Sequence, residues 1–153
     1  MRKLRTVVSK DLTKLASIHA ASFKKNWGQD AFAKLLEQTS NAAWLIEEDD
    51  EIAAFIVVMS SGDDLEILTI ATHPDHRRKG LAKQLLLGVD GKQALGLDGN
   101  WFLEVSEENL SAVQFYENLG FLKRGVRKNY YKLDDGRRVD ALVYGIKLGH
   151  LVC

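Results

Sequence analysis

The sequence is short of the residues that build covalent or metal frameworks. Among 153 residues it has one cysteine, Cys153, and one proline, Pro74. A lone cysteine excludes an internal disulfide framework and any zinc site with several Cys ligands. The four histidines (His19, His73, His76, His150) show no HxxxH or HExxH spacing, so no metal site is expected. No apolar run approaches the roughly 20 residues that span a bilayer, so no membrane association is expected. Met1 to Leu15 lacks an apolar stretch long enough for a signal peptide, and the expected compartment is the cytoplasm. Charge of one sign is not in excess either: 21 basic side chains meet 21 acidic ones. That balance argues against direct, general nucleic-acid binding. Neither GxxxxGK[ST] nor GxGxxG occurs, which removes the Walker loop and the dinucleotide fingerprint.

What is present is a chain with the composition of a soluble globular protein, 46% hydrophobic and 27% charged. Its length suits one domain, read here as residues 1–153 without a linker or repeat. The neutral average hides segregation. Glu47 to Glu51 is acidic, whereas His76 to Lys79 and Lys123 to Lys132 are basic.

The pattern along the chain alternates between two periods. Leu4 to Val8 reads as a strand, and Asp11 as the N-cap of a helix through about Phe23. A second helix follows Gly28. Asn41–Ile46, Ile52–Met59 and Leu65–Thr72 read as strands separated by polar turns. Gly80 to about Leu95 is helical, Trp101–Val105 a strand, and Asn109 or Ser111 caps a helix that ends at Gly120, a C′ glycine. Phe121 onward is extended, and Val139–Leu148, apolar on both faces, is an interior strand. The order β-α-α-β-β-β-α-β-α-β-β indicates an α/β protein of the α+β type, a mixed sheet with helices packed on it.

The segment Glu66 to Ala82 carries the chemistry. A buried strand leads through Arg77, Arg78, Lys79 and Gly80 directly into a helix. A helix N-terminus presents unpaired backbone N–H groups and a partial positive charge, and glycine permits close backbone approach. The cations add formal charge, so the segment suits a pyrophosphate. The same residues also fit a solvated basic loop ahead of an ordinary helix.

Arg77-x-x-Gly80-x-Ala82 resembles the [Q/R]xxGx[G/A] signature of the GNAT N-acetyltransferase superfamily, with alanine where glycine is commoner. Asn109 to Phe121 is similar to that superfamily's second stretch, N-x-x-A-x-x-x-Y-x-x-x-G-F. Leu103-Glu104-Val105, Arg127 to Tyr131 and Asp135-Gly136-Arg137 further resemble the bacterial ribosomal-protein-alanine N-acetyltransferases. Phe23 to Trp27 departs from that subgroup, lacking its proline before tryptophan.

The resemblance implies the GNAT fold, a central mixed, mostly antiparallel sheet with flanking helices. It implies direct transfer of acetyl from acetyl-CoA to an amine, without a metal. It implies contacts to the cofactor from Ile70, Ala71 and Thr72 on a strand splayed from its neighbour at a bulge, from Arg77, Arg78, Lys79, Gly80, Leu81 and Ala82, and from Asn109. It implies Glu104 as general base and Tyr116 as general acid. Read from spacing alone, Asn109 is an N-cap, Tyr116 a half-buried aromatic and Glu104 an edge-strand carboxylate. Helical spacing puts Asn109, Ala112, Val113 and Tyr116 along one groove. Cys153, a terminal residue without an activating neighbour, does not suit a covalent acetyl-enzyme. The expected acceptor is the N-terminal alanine of a ribosomal protein. The alternatives are a small amine (a polyamine, amino acid or aminoglycoside) and a non-catalytic acyl-CoA-binding module.

Overall fold

The computed structural model describes residues 1–93 and 96–152, so Cys153 and the helix end expected at Leu95 lie outside the described residues. The elements follow the expected order: β1 (Arg2–Thr6), α1 (Leu12–Ser22), α2 (Gln29–Glu37), β2 (Asn41–Glu48), β3 (Glu51–Ser61), β4 (Asp64–Thr72), α3 (Leu81–Gln93), β5 (Asn100–Ser106), α4 (Leu110–Asn118), β6 (Leu122–Lys132) and β7 (Arg138–Lys147). The strands form one seven-stranded sheet in the order β1-β2-β3-β4-β5-β7-β6. Neighbours are antiparallel except β4 and β5, which are parallel. The expected mixed sheet is therefore present, and β7 lies between β5 and β6 as an interior strand.

Each sheet face carries its own apolar cluster. Leu81, Leu85, Leu86 and Val89 of α3, with Tyr116 and Leu119 at the end of α4, cover Ile56, Val58, Trp101 and Leu103. On the other face Leu12, Leu15 and Ile18 of α1, with Phe32 of α2, cover Leu45, Phe55 and Val57. Helical spacing of these residues puts one apolar stripe on each helix, and burying it against the sheet is the main source of stability. Trp101 is fully buried, and its indole N–H donates to Asp90 Oδ1 at 2.8 Å. Among the described residues no helix is long and apolar enough to cross a membrane.

The first helix begins differently from its sequence signal. Asp11 has helical φ and ψ and makes no side-chain cap. Its buried carboxylate instead accepts two bonds from Arg5, at 2.8 and 2.9 Å, and one from the Val8 N–H at 2.8 Å. The guanidinium holds this carboxyl below the usual range. Tertiary pairing with a strand cation outcompetes local capping, and a short 3-10 turn, Ser9–Asp11, precedes α1.

The strand expected to splay does so. β4 pairs with β5 at two rungs, Leu65↔Trp101 and Glu66↔Phe102. Against β3, Val57 faces Thr69 and Val58 faces Ile67, so Leu68 is an extra residue. This bulge changes the phase of the strand: Ile67 and Ile70, three apart, both pack on the α3 side, while Leu68 and Ala71 pack on the α1 side. A bulge increases local twist and bends the strand, here leaving the β5-facing edge of β4 without a ladder partner beyond Glu66.

The end of α4 is a Schellman motif. Gly120, at φ +99°, is C′; its N–H donates to the Glu117 carbonyl, and the Phe121 N–H donates to the Tyr116 carbonyl at 3.1 Å. The Phe121 ring packs edge-on against Tyr116, with centroids 5.4 Å apart. The Y-x-x-x-G-F pattern is thus a clamp on Tyr116. A Cβ on Gly120 would stand 3.0 Å from both Ile146 Cδ1 and Val152 Cγ2, in a backbone region side chains rarely adopt. Gly120→Ala is expected to cost about 1–2 kcal/mol, lowering Tm by several degrees in a thermal melt. An unchanged Tm would remove the clamp.

Candidate active site

The parting strands are the centre of the site. Two adjoining cavities, about 410 and 400 Å³, run along them and share Thr72, Arg77, Ala82 and Phe115. The first is walled by the loop and N-terminal turn of α3: His76, Arg77, Arg78, Gly80, Leu81, Ala82 and Lys83. The second is lined by Ile70, Ala71, Thr72, Asn109, Ser111, Ala112 and Tyr116, with Ser22 from α1. Most of the residues singled out in sequence therefore meet in one groove.

Their individual settings differ. Gly80 has φ +75° and Arg78 φ +65°, a turn that lines the first cavity just ahead of α3. Space beside Gly80 is open, with no atom within 4 Å of a built Cβ. Arg77 spans the groove: Nε donates to the Thr72 carbonyl at 3.3 Å and Nη2 to Ser22 Oγ at 3.1 Å. Lys79 turns the other way. Its ammonium lies 3.7 Å from Glu48, and its carbonyl accepts from Arg2 at 3.1 Å, so it ties the loop to β1 and β2 rather than lining the cavity. His76 Nδ1 lies 3.1 Å from the same Glu48. Lys83, one helical turn past Lys79, takes the groove position; a basic residue two after Leu81 was its available signal.

Asn109 caps α4, its Oδ1 accepting from the Ala112 N–H at 3.3 Å, and it also borders the groove. Ala112 lines the groove as spacing required, whereas Val113 packs into the core. Tyr116 is 6% exposed, and burial pushes its hydroxyl well above the ordinary tyrosine range. It therefore keeps its proton at neutral pH.

Glu104 lies on the opposite face of the sheet. Trp101, Leu103 and Val105 point toward α3 and α4, and alternation turns Phe102 and Glu104 away. A third cavity, about 270 Å³, opens there between Glu66, Phe102, Glu104 and Val143. Glu104 and Tyr116 thus approach the β4–β5 gap from opposite sides. Arg127 of β6 reaches across β7 to Glu104, with Nη1 2.8 Å from Oε1. Burial, then the Glu104 charge, raise the Glu66 carboxyl above its ordinary value. The same two causes raise the Tyr131 hydroxyl. Glu66 was not singled out in sequence, because only the parallel rungs bring it beside Glu104.

Glu107 and Glu108, on the turn after β5, serve the fold. Glu107 Oε2 accepts from the Asp140 N–H at 2.7 Å, and Glu108 pairs with Arg137 at 3.3 Å. Trp27 stacks on His19 with centroids 4.9 Å apart, and Trp44 is half-buried, as rim and core aromatics.

A model of the acetyltransferase (GNAT) family matches residues 12–121. The chain belongs to this family. A [ribosomal protein bS18]-alanine N-acetyltransferase of Haemophilus ducreyi is 30% identical over 149 residues, covering 95% of this chain and 99% of that protein. A crystal structure of the corresponding Escherichia coli alanine N-acetyltransferase superposes with TM-score 0.88 at 27% identity, covering 97% of this chain and 94% of that one. A spermidine/spermine N-acetyltransferase of Vibrio cholerae shares the fold, with TM-score 0.78 at 20% identity over 96% and 92% of the two chains. The protein is an N-acetyltransferase, and GNAT enzymes use acetyl-CoA.

The groove fits that cosubstrate. The positive-φ turn at Arg78 and Gly80, the open space over Gly80 and the start of α3 suit a pyrophosphate. The unpaired edge of β4 suits the amides of a pantetheine arm. Arg78→Ala is expected to weaken acetyl-CoA binding about tenfold, the scale of one charge-assisted hydrogen bond. Lys79→Ala, removing a cation held by Glu48, is expected to change it less. Calorimetric titration distinguishes the two, and equal effects would contradict this division of labour.

The raised Glu66 carboxyl has a stability consequence. A folded-state value above the unfolded one means that, as pH rises through about 4.3, the folded protein retains a proton that the unfolded chain loses, so ionising Glu66 costs folding stability above that pH. Glu66→Gln is expected to raise Tm at pH 7 and not at pH 4. The reverse order would show Glu66 to be favourably paired.

Proposed function

We propose that this protein transfers acetyl from acetyl-CoA to the N-terminal α-amine of a ribosomal protein, most simply an N-terminal alanine, in the cytoplasm. In this reading residues 1–153 act as one acetyltransferase domain, and transfer is direct. The observation that carries the reading is the opposition of Glu104 and Tyr116 across the parted strands. The nearly full-length similarity to bS18-alanine N-acetyltransferases supports the acceptor.

Bound acetyl-CoA supplies an activated acetyl thioester. Arg77, Arg78, Lys83 and the α3 N-terminus hold its phosphates, and the β4 edge from Ile70 to Thr72 orients its arm. Leu81 and Ala82 form the wall of the groove below the loop, and Asn109 stands at its far rim. On the other face, an α-amine with a reference pKa near 7.7–8.0 arrives mostly as ammonium at neutral pH. Glu104 Oε2, the carboxylate oxygen that Arg127 leaves free, accepts its proton. Tyr116 Oη, buried and protonated, donates a proton on the groove side, where a departing thiolate needs one. The core wall formed by Phe115, Tyr116 and Phe121 excludes water from that end.

An acceptor panel tests the reading. A peptide beginning with alanine should be acetylated, and blocking its α-amine should abolish turnover. Activity on spermidine, amino acids or aminoglycosides alone would overturn the assignment, and CoA binding without turnover would mark a non-catalytic module. Tyr116→Phe and Glu104→Gln should each slow transfer roughly 10²-fold or more, with acetyl-CoA affinity little changed. Near-normal turnover in either variant would refute that residue's role.

A further inference from the structure

The ion pair between Arg127 and Glu104 has a geometry that the reaction above does not use. The guanidinium is fixed from three directions. Nη1 donates to Glu104 Oε1 at 2.8 Å. The Tyr130 ring lies under Cζ at 4.1 Å. The strand carrying both residues is bulged between Arg127 and Tyr131, with Asn129 at φ +54° and its N–H held by Asp140 Oδ1 at 2.9 Å. The residues that Arg127 crosses to reach Glu104 are small or modest: Gly125 and Ala141 flank Val143 in the register. An exposed ion pair contributes little to stability, so its support by a stacked aromatic and a bulge calls for another role.

Arg127 has five N–H donors, and Glu104 takes one. The site therefore presents a carboxylate oxygen and free guanidinium N–H groups side by side. A peptide N-terminus presents the complement: an ammonium donor and, three bonds away, a carbonyl oxygen acceptor. A polyamine has ammonium groups and no acceptor atom, and a second ammonium beside Arg127 is repelled.

We propose that Arg127 is the specificity-determining residue of the acceptor site, binding the first peptide carbonyl of the acceptor while Glu104 takes its amine, so that peptide N-termini are selected over polyamines. This rests on the α-amine reading above. Arg127 supplies a donor that polyamines cannot satisfy, and leaving a site hydrogen-bonding group unmatched is an effective means of rejection. Tyr130 stacks against the guanidinium, and lysine at this position would lack the planar fork of separated donors that reaches two acceptors side by side.

The experiment compares kcat/KM for an alanine-initiated peptide and for spermidine, using the full chain with acetyl-CoA. Arg127→Gln is expected to lower the peptide value at least tenfold and to leave or raise the spermidine value, so that the ratio of the two falls at least tenfold. A thermal melt checks that the variant is folded. Equal losses on both acceptors, or an unchanged ratio, would overturn the assignment and leave Arg127 as a support for Glu104. A wild-type enzyme that acetylates spermidine and not the peptide would overturn the α-amine reading itself, and this assignment with it.

Discussion

Two rungs of parallel pairing, Leu65↔Trp101 and Glu66↔Phe102, hold the halves of the sheet together before β4 and β5 part. The rest of the site depends on this departure from regular pairing. A continuous sheet would satisfy every backbone group and leave no edge for a ligand to join. The extra residue Leu68 provides the bend, and the change of phase it causes is absorbed by apolar side chains on both faces. One apolar cluster on the α3 side spans the opening, joining Ile56, Val58 and Ile67 of one half to Trp101, Leu103 and Tyr144 of the other.

The gap also separates two chemical environments. On the α4 side, Tyr116 is enclosed by Phe115, Phe121 and the core, an apolar setting that favours a neutral phenol. On the other side, Glu104 faces Glu66, Arg127 and the tyrosines of β6 in a half-exposed, charged setting. The sheet keeps the buried phenol and the solvated carboxylate apart. The loop ahead of α3 divides labour in a similar way. Arg77, Arg78 and Gly80 line the groove, whereas Lys79 turns to Glu48, and His76, also on the groove wall, engages the same carboxylate and helps hold the loop against β2.

Much of this was legible in sequence where the signal is local. The order of elements follows from periodicity, and the Y-x-x-x-G-F stretch contains every residue of the Schellman clamp. Asn109 is both the N-cap that spacing implies and a groove residue. Local reasoning failed where a distant partner decides. Asp11 reads as a cap until Arg5 takes its carboxylate. Lys79 looks equivalent to Arg78 in a run of cations, and only the position of Glu48 separates them.

By itself the sequence indicated the class of fold and the residues that line the groove, because periodicity, capping and motif spacing are properties of neighbouring residues, while the roles proposed for Glu104 and Tyr116 came from the family resemblance. The tertiary structure alone decided that those two groups stand on opposite faces of the sheet. It also decided that Glu66 joins Glu104 through the last parallel rung, and that Arg127 crosses β7 to meet it. Those contacts join residues 23 to 38 positions apart in the chain, and their distances depend on strand order and register, which no local pattern encodes.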